Sequence, residues 1–226
     1  MLVPCAGCSV INFSELIKKL TDEDIVVSLI KLSVDYAEAI QLDEIIAEMV
    51  DIIRHSSEKI VLFGHSMGGI LILKLLECLS PNELNQISGI VFSSSVPPHT
   101  VETLQRKIPN VNSDSFQEYL IELGNLNKAH FEDEFFKEYL FERIKRDFSI
   151  LKELELQADI DYNEIFKKIP TLVIKGEEEP MHEEFLLQWL DYENIDMKTL
   201  SGDHFHYKQN TEKIALEIKK RGVLID

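Results

Sequence analysis

The residue of this sequence that is best placed to act as a nucleophile is a serine flanked by glycines. Ser66 lies in Phe63-Gly64-His65-Ser66-Met67-Gly68-Gly69, between the β-branched run KIVLF and the apolar segment MGGILILKLL. Glycines two positions before and after a serine, between a strand and a helix, are typical of a nucleophile elbow, whose sharp turn leaves no room for side chains. The Gly-x-Ser-x-Gly spacing alone arises by chance in about one chain of this length in ten. The prediction of a nucleophile elbow therefore depends on the strand and helix patterns that flank the motif.

The helix that starts at Met67 would offer a free backbone N–H and its positive dipole end to a developing oxyanion. A purely structural glycine-rich turn is the alternative. A phosphate-binding loop is excluded because no Gly-Lys-Ser/Thr follows the glycines.

A serine nucleophile needs a histidine that takes its proton, and the chain has seven histidines. Behind a nucleophile elbow the partners follow in the order serine, acid, histidine. His204 follows the last strand pattern, in a glycine-containing loop before the last helix, and is the predicted base. His206 is the alternative and is otherwise expected to be a solvated neighbour, whereas His65 is expected to be packed in the turn. The remaining histidines precede the motif or lie in or near helical segments: His55, His99, His130 and His182.

The orienting acid is expected in the glutamate triplet that follows the strand pattern TLVIKG. The loop after the strand pattern GIVFSSS offers no carboxylate before Glu102. Adjacent acids are usually a solvated loop, but Pro180 would fix the segment so that one glutamate points inward. Glu179 is the predicted acid, and Glu178 is the alternative.

Short β-branched runs alternate with amphipathic segments, which predicts an α/β fold with a parallel sheet and helices on both faces. The predicted strands are residues 24–30, 59–64, 89–94, 171–176 and 196–202. The predicted helices between them are residues 13–20, 42–54, 67–79, 183–192 and 211–221.

Residues from about 99 to 168 interrupt this alternation of strands and helices, because they contain helical patterns such as 115–123 and 132–148 and no convincing strand. A helical insertion at this point in an α/β domain would form a lid over an active site. The alternative is an ordinary crossover of several helices whose aromatic residues are core. We therefore expect a single domain over residues 1–226 with a lid insertion.

The composition of the chain argues against some classes of binding partner. A chain of 226 residues with 45% hydrophobic residues can bury one sizeable core, and its net charge of −17 argues against nucleic acid and anionic membranes as partners. No apolar run approaches the roughly 20 residues of a membrane span, and the first residues do not resemble a secretory signal, so a cytoplasmic location is expected.

The three cysteines, Cys5, Cys8 and Cys78, support neither a disulfide framework nor a zinc site. Cys5 and Cys8 could form a redox pair, but two small residues in a tight turn are the favoured interpretation. No metal and no cofactor are expected.

Five segments resemble the type II thioesterases of nonribosomal peptide and polyketide synthesis, which have the α/β-hydrolase fold. They are similar to that family's N-terminal Pro-aromatic-Ala-Gly-Gly-Ser turn, its elbow, its Ser-Gly-x-x-Ala-Pro-His segment, its strand before the acid and its Gly-Asp-His-Phe loop. In this chain they are Pro4 to Ser9, Gly64 to Gly69, Ser94 to His99, Pro170 to Pro180 and Gly202 to Phe205. They span nearly the whole chain in the family's order.

The resemblance implies a serine hydrolase that releases acyl or aminoacyl groups from the phosphopantetheine arm of acyl or peptidyl carrier proteins. Ser66 would be the nucleophile, His204 the base and Glu179 the orienting acid, although the family usually has Asp there. The backbone N–H groups of Met67 and Ala6 would form the oxyanion hole, and the insertion would shape the acyl site.

Two other functions remain open at this stage. A small carboxylesterase or lipase would use the same site without a carrier protein, and a carrier-binding scaffold would keep the fold without catalysis. Because carrier proteins are generally acidic, docking on a chain of this charge requires apolar contact or a local basic patch. Arg143, Lys145 and Arg146 are the candidate patch, or simply the solvated side of a helix.

Overall fold

A five-stranded parallel sheet forms the centre of this α/β-hydrolase fold in the computed structural model, which describes residues 1–32, 40–124, 126–179 and 183–222. Pro180 and His182 lie outside the described residues. The strands are adjacent in chain order, from β1 to β5. Their bounds are Leu2–Val3 (β1), Ile60–His65 (β2), Ile87–Ser93 (β3), Thr171–Gly176 (β4) and Ile195–Leu200 (β5).

Ten α-helical segments accompany the sheet in the described part of the chain. They are α1 Ser14–Thr21, α2 Leu42–His55, α3 Met67–Cys78, α4 Pro81–Leu84, α5 Val101–Lys107, α6 Asp114–Leu123, α7 Glu142–Glu153, α8 Tyr162–Lys168, α9 Glu183–Leu186 and α10 Thr211–Gly222. The predicted helix 183–192 is shorter than expected, because α9 ends at Leu186 and a 3-10 turn, Leu187–Asp191, continues the chain.

Residues 24–30, predicted as a strand, pair with the sheet through a single bridge between Leu29 and Leu2. The N–H of Leu2 donates to the Ser28 carbonyl at 2.8 Å, and the N–H of Ile30 donates to the Leu2 carbonyl at 3.0 Å. The prediction of a full strand is wrong because β1 has only two residues. It offers the segment no further backbone to pair with.

Strand residues alternate between two hydrophobic clusters, which explains why helices cover both faces. One face packs against α2 and α3 through Leu62, Ile90, Phe92 and Val173. The other face packs against α1 and α10 through Phe63, Val91, Leu172 and Ile174. The expectation of a sheet covered on both faces is confirmed.

The described residues between β3 and β4 contain helices and no strand. A 3-10 turn, His130–Glu132, and a π-helical turn, Phe136–Phe141, lie between α6 and α7. Five phenylalanine side chains of this region are buried and contact one another: Phe116, Phe131, Phe136, Phe141 and Phe148. The helical region between β3 and β4, called the insertion below, therefore has an aromatic core that is continuous with the core around the sheet. No helix among the described residues is long and apolar enough to cross a membrane.

Candidate active site

The carboxyl ends of the five strands bring the predicted site residues to one edge of the sheet. Because all strands are parallel, the loops after them lie side by side. In strand order, these loops carry Ala6, Ser66, Ser94, Glu179 and His204. Residues far apart in sequence are thus neighbours in space.

Ser66 occupies a strained turn between β2 and α3. Its backbone has φ 54° and ψ −120°, a combination that non-glycine residues rarely adopt. Its N–H donates to the Ser93 carbonyl at 2.8 Å, and its own carbonyl accepts from the Gly69 N–H at 3.0 Å. The turn has the conformation expected of a nucleophile elbow.

The glycines of the elbow are required by close backbone contacts. A Cβ on Gly64 would lie 2.7 Å from the backbone of Gly68, and a Cβ on Gly68 would lie 2.1 Å from the Val3 carbonyl oxygen. A Cβ on Gly69 would lie 2.3 Å from the Ser95 hydroxyl oxygen. The absence of side chains therefore lets the start of α3 reach both β2 and the end of β1.

We expect Gly68→Ala to lower the free energy of unfolding by about 2 kcal/mol or more, because its methyl group would meet the Val3 carbonyl at the end of β1. Gly222→Ala in α10 is the matched control, since its Cβ would lie at an ordinary 3.6 Å from Val61. It should leave the protein equally or more stable. Urea unfolding of both variants measures the difference, and equal stability of the two would contradict the steric account.

His204 and Glu179 form a buried pair next to this turn. The Nδ1 of His204 lies 2.5 Å from Oε1 of Glu179, and both side chains are buried. With Nδ1–H donating to the carboxylate, Nε2 is left as the basic nitrogen, and it forms no hydrogen bond with any described residue. Glu177 and Glu178 are exposed, so the expectation that one glutamate of the triplet points inward is confirmed.

Ser94 holds the other oxygen of this carboxylate, a contact that sequence reasoning missed. Its hydroxyl donates to Oε2 of Glu179 at 2.7 Å, and its backbone has a positive φ of 44°. Burial alone would raise the pKa of Glu179, but the attraction and hydrogen bond of His204, together with the Ser94 hydroxyl, hold it below its ordinary value. A run of serines directly after β3 was the available signal.

His206, expected as a solvated neighbour, is instead completely buried, as is His65. The Ser93 hydroxyl lies between them, 3.0 Å from Nδ1 of His65 and 3.2 Å from Nε2 of His206. It can donate to one ring and accept from the other. Burial is the main reason that the pKa of His65 lies well below its ordinary value and that of His206 falls to about 4. Both rings therefore pack near His204 as neutral groups.

A buried neutral histidine makes stability depend on pH. The pKa of His206 is about 4 in the folded protein against an ordinary 6.5. The unfolded chain therefore binds more protons in this interval, and the stabilisation present above pH 6.5 is lost as the pH falls toward 4. We expect the difference in unfolding free energy between the protein and His206→Gln to shrink by on the order of 3 kcal/mol between pH 7 and pH 4. Urea unfolding across this range tests it, with exposed His55→Gln as control, and a constant difference would contradict the buried neutral state.

The loop after β1 differs from expectation at its cysteines. Cys5 and Cys8 form a disulfide with their Cα atoms 5.3 Å apart, so the interpretation as two unlinked small residues is wrong. The turn between them is possible because Gly7 adopts φ 71°, which brings the two side chains together. Cys78 is free and exposed.

Ala6 lies inside this disulfide loop, opposite the start of α3. The N–H groups of Ala6 and Met67 form no hydrogen bond with the described residues. Both residues line a small cavity of about 30 Å³ together with Ser66 and His204. Two residues whose N–H groups have no partner among the described residues thus share one cavity with the serine and the histidine. Free N–H groups at such a site suit the stabilisation of an oxyanion.

A larger cavity of about 430 Å³ opens from the same residues. Ala6, Ser66 and His204 lie on its wall, and the insertion supplies much of the remaining lining. Most of that contribution is apolar, from Leu120, Leu123, Leu126, Phe136, Leu140 and Phe148. This volume lies within the range of about 300–1,000 Å³ that is usual for small-molecule sites.

The three basic residues proposed as a docking patch do not share one surface. Arg143 lines the 430 Å³ cavity, whereas Arg146 lines a separate cavity of about 170 Å³. Lys145 pairs with Glu142 at 2.6 Å and lies over the Phe141 ring. The described residues contain no group of three or more His, Cys, Asp or Glu side chains that could hold a metal ion.

Comparison with known proteins is consistent with this architecture. The family model described as "Thioesterase domain" matches residues 1–221. None of the curated protein sequences is significantly similar to this chain.

Among solved structures, ClbQ from the colibactin NRPS/PKS pathway has a TM-score of 0.71 at 17% identity, over 97% of this chain and 94% of ClbQ. The RedJ thioesterase from the prodiginine biosynthetic pathway of Streptomyces coelicolor has a TM-score of 0.70 at 18% identity, over 96% and 84% of the two chains. A lipase-esterase related protein from Clostridium acetobutylicum has a TM-score of 0.63 at 23% identity, over 97% and 92%.

Proposed function

We propose that this chain, which belongs to the thioesterase domain family, hydrolyses acyl or aminoacyl thioesters carried on the phosphopantetheine arm of carrier proteins. The observation that carries the proposal is the arrangement around one cavity of a strained serine, a histidine bound to a buried carboxylate and two free backbone donors. The substrate class is supported by the similarity to structures from NRPS/PKS pathways. An enzyme with such substrates would clear or regenerate synthetases.

In the first half-reaction the Ser66 hydroxyl oxygen attacks the thioester carbonyl carbon, and its proton passes to Nε2 of His204. The oxyanion accepts hydrogen bonds from the N–H groups of Met67 and Ala6. The carbon–sulfur bond then breaks, and the sulfur leaves with the proton from His204. This leaves an acyl ester on Ser66 and a free thiol on the carrier arm.

In the second half-reaction a water molecule takes the place of the thiol. His204 accepts a proton from this water as its oxygen attacks the ester carbonyl, and the same two N–H groups bind the second oxyanion. The proton returns to the Ser66 oxygen when the ester bond breaks. The products are a carboxylic acid and the original enzyme.

Glu179 and Ser94 orient the base in this mechanism. The carboxylate accepts the Nδ1–H of His204, which selects the tautomer with a basic Nε2 and stabilises the imidazolium that forms. The Ser94 hydroxyl donates to the second oxygen of this longer side chain, which helps to hold the carboxylate beside the ring. A glutamate can therefore act where the type II family usually has aspartate.

The insertion, residues from about 99 to 168, acts as a lid that shapes the acyl site in this proposal. Its apolar side chains line the cavity beside Ser66, which suits the hydrocarbon part of an acyl group. At the cavity, Ile11 is 81% exposed next to the half-exposed Val10. Apolar contact there would let an acidic carrier dock on a chain with a net charge of −17.

A panel of acyl and aminoacyl groups loaded on a carrier protein tests the function, with release followed by intact-protein mass. We expect the carrier to lose the acyl mass with the native protein and to keep it with Ser66→Ala. Hydrolysis of p-nitrophenyl esters without release from any carrier would instead indicate a carboxylesterase. Carrier binding without hydrolysis of either substrate would indicate a scaffold.

A further inference from the structure

Asp147 is a buried carboxylate that the proposed mechanism does not use. It lies on α7 of the insertion and is only 1% exposed. Its Oδ2 accepts a hydrogen bond from the Gly7 N–H at 2.7 Å, across 140 positions of sequence. A buried carboxylate is costly unless it is hydrogen-bonded, and its partner here is the residue directly after Ala6.

The same helix contacts the loop at two further points. Arg143 donates to the Cys8 carbonyl, and a Cβ on Gly7 would lie 2.5 Å from Cγ1 of Ile144. The disulfide between Cys5 and Cys8 closes the loop from within. One face of α7 therefore holds the peptide groups on the carboxyl side of Ala6.

The charges around Asp147 favour a strong hydrogen bond at neutral pH. Burial raises the pKa of its carboxyl group to about 6, while the Gly7 N–H and the guanidinium groups of Arg143 and Arg146 act in the opposite direction. Asp147 also lines a cavity with Gln41, which directly precedes α2, and with Glu153. Above pH 6 the group is an anion, and a charged acceptor forms the stronger hydrogen bond.

We infer that Asp147 is a positioning residue that holds Gly7 so that the Ala6 N–H points toward the oxyanion, an inference that rests on the proposed function of the Ser66 site. The contact acts through the backbone, since Asp147 itself does not touch the reacting atoms. Because α7 belongs to the insertion, the insertion sets the geometry of the oxyanion hole as well as the shape of the acyl site.

Asp147→Ala and Asp147→Asn test the inference, with Glu142→Gln, an exposed residue of the same helix, as matched control. We expect Asp147→Ala to lower kcat by about 10- to 100-fold, with KM within about twofold, because a displaced oxyanion donor weakens the transition state more than the bound substrate. Asp147→Asn keeps an oxygen acceptor of the same shape and should lose less. The control should keep its activity.

Inhibitor binding separates positioning from general damage to the fold. An acyl trifluoromethyl ketone, which forms an oxyanion on the serine, should bind Asp147→Ala more weakly by about the factor lost in kcat/KM. The free product acid should bind equally well to both proteins. Equal loss of affinity for both ligands, or unchanged kcat and ketone affinity, would overturn the inference.

A readout without catalysis keeps this test independent of the proposed function. In hydrogen exchange, the peptide that contains Gly7 should lose protection in Asp147→Ala and retain it in Glu142→Gln, because only the former lacks the acceptor of the Gly7 N–H. Unchanged protection would overturn the inference whatever the substrate. Failure of the native protein to hydrolyse any carrier thioester would refute the proposed function alone.

Discussion

Ser66→Ala is expected to lower kcat for thioester hydrolysis by at least about 10⁴-fold. The strained turn points to a serine selected for chemistry, and no other side chain acts as a nucleophile in the mechanism. The variant should fold, because the Ser66 side chain forms no hydrogen bond with the described residues and alanine is the smaller residue. Substrate binding should persist, since the cavity and its apolar lining remain.

Ser88→Ala is the control for this result. Ser88 is a half-buried residue of β3 whose hydroxyl donates a long hydrogen bond to the Ile60 carbonyl, at 3.4 Å. This variant should hydrolyse thioesters at close to the native rate. Comparable kcat values for Ser66→Ala and Ser88→Ala would show that Ser66 is not the nucleophile.

Glu179→Gln is expected to lower kcat by about 10³- to 10⁴-fold while the fold persists. Glutamine has the size of glutamate, but its side chain carries no charge to stabilise an imidazolium. Its NH₂ group can donate to Nδ1 of His204, which would move the ring proton to Nε2 and leave no base facing the serine. Steady-state kinetics at pH 8, compared with thermal unfolding, measures the two effects.

Glu178→Gln is the matched control, since it removes the same charge from the adjacent residue, which is exposed. It should change kcat by less than about twofold, because an exposed charge is screened by solvent. A larger loss of kcat in Glu178→Gln than in Glu179→Gln would show that Glu178, and not Glu179, is the orienting acid.

Local sequence patterns were sufficient to predict the features that lie at the ends of the strands. The glycines around Ser66 follow from the steric needs of a single turn, and the structure shows the close contacts that require them. The burial of Glu179 and His204 follows from their place after β4 and β5, since parallel strands bring such loops together. Their catalytic roles remain predictions.

Contacts between distant segments could not be read from such patterns. The disulfide depends on the positive φ of Gly7, which Ile144 and Asp147 of α7 help to fix. The burial of His206 depends on Ser93, which lies 113 positions earlier. The first contact depends on how α7 packs against the N-terminal loop, and the second depends on how the loop after β5 packs against the end of β3.

One signal for Asp147 was nevertheless present in the sequence. It occupies a core position of α7, in the helical series Ile144, Asp147, Phe148 and Leu151, whose members are all buried. A carboxylate at such a position is unusual unless it has a partner. The partner could be identified only from the fold, because it is a backbone N–H of the N-terminal loop.

The most direct test of the central claim is covalent titration of the serine. An alkyl fluorophosphonate with a chain that imitates the acyl group is added in increasing amounts, labelled peptides are mapped by mass, and hydrolysis of an acyl-carrier thioester is followed in parallel. We predict a single label on Ser66 and a loss of hydrolysis in proportion to it, one label abolishing one active site. Full activity in protein fully labelled at Ser66, or inactivation that accompanies a label on another residue, would contradict the account.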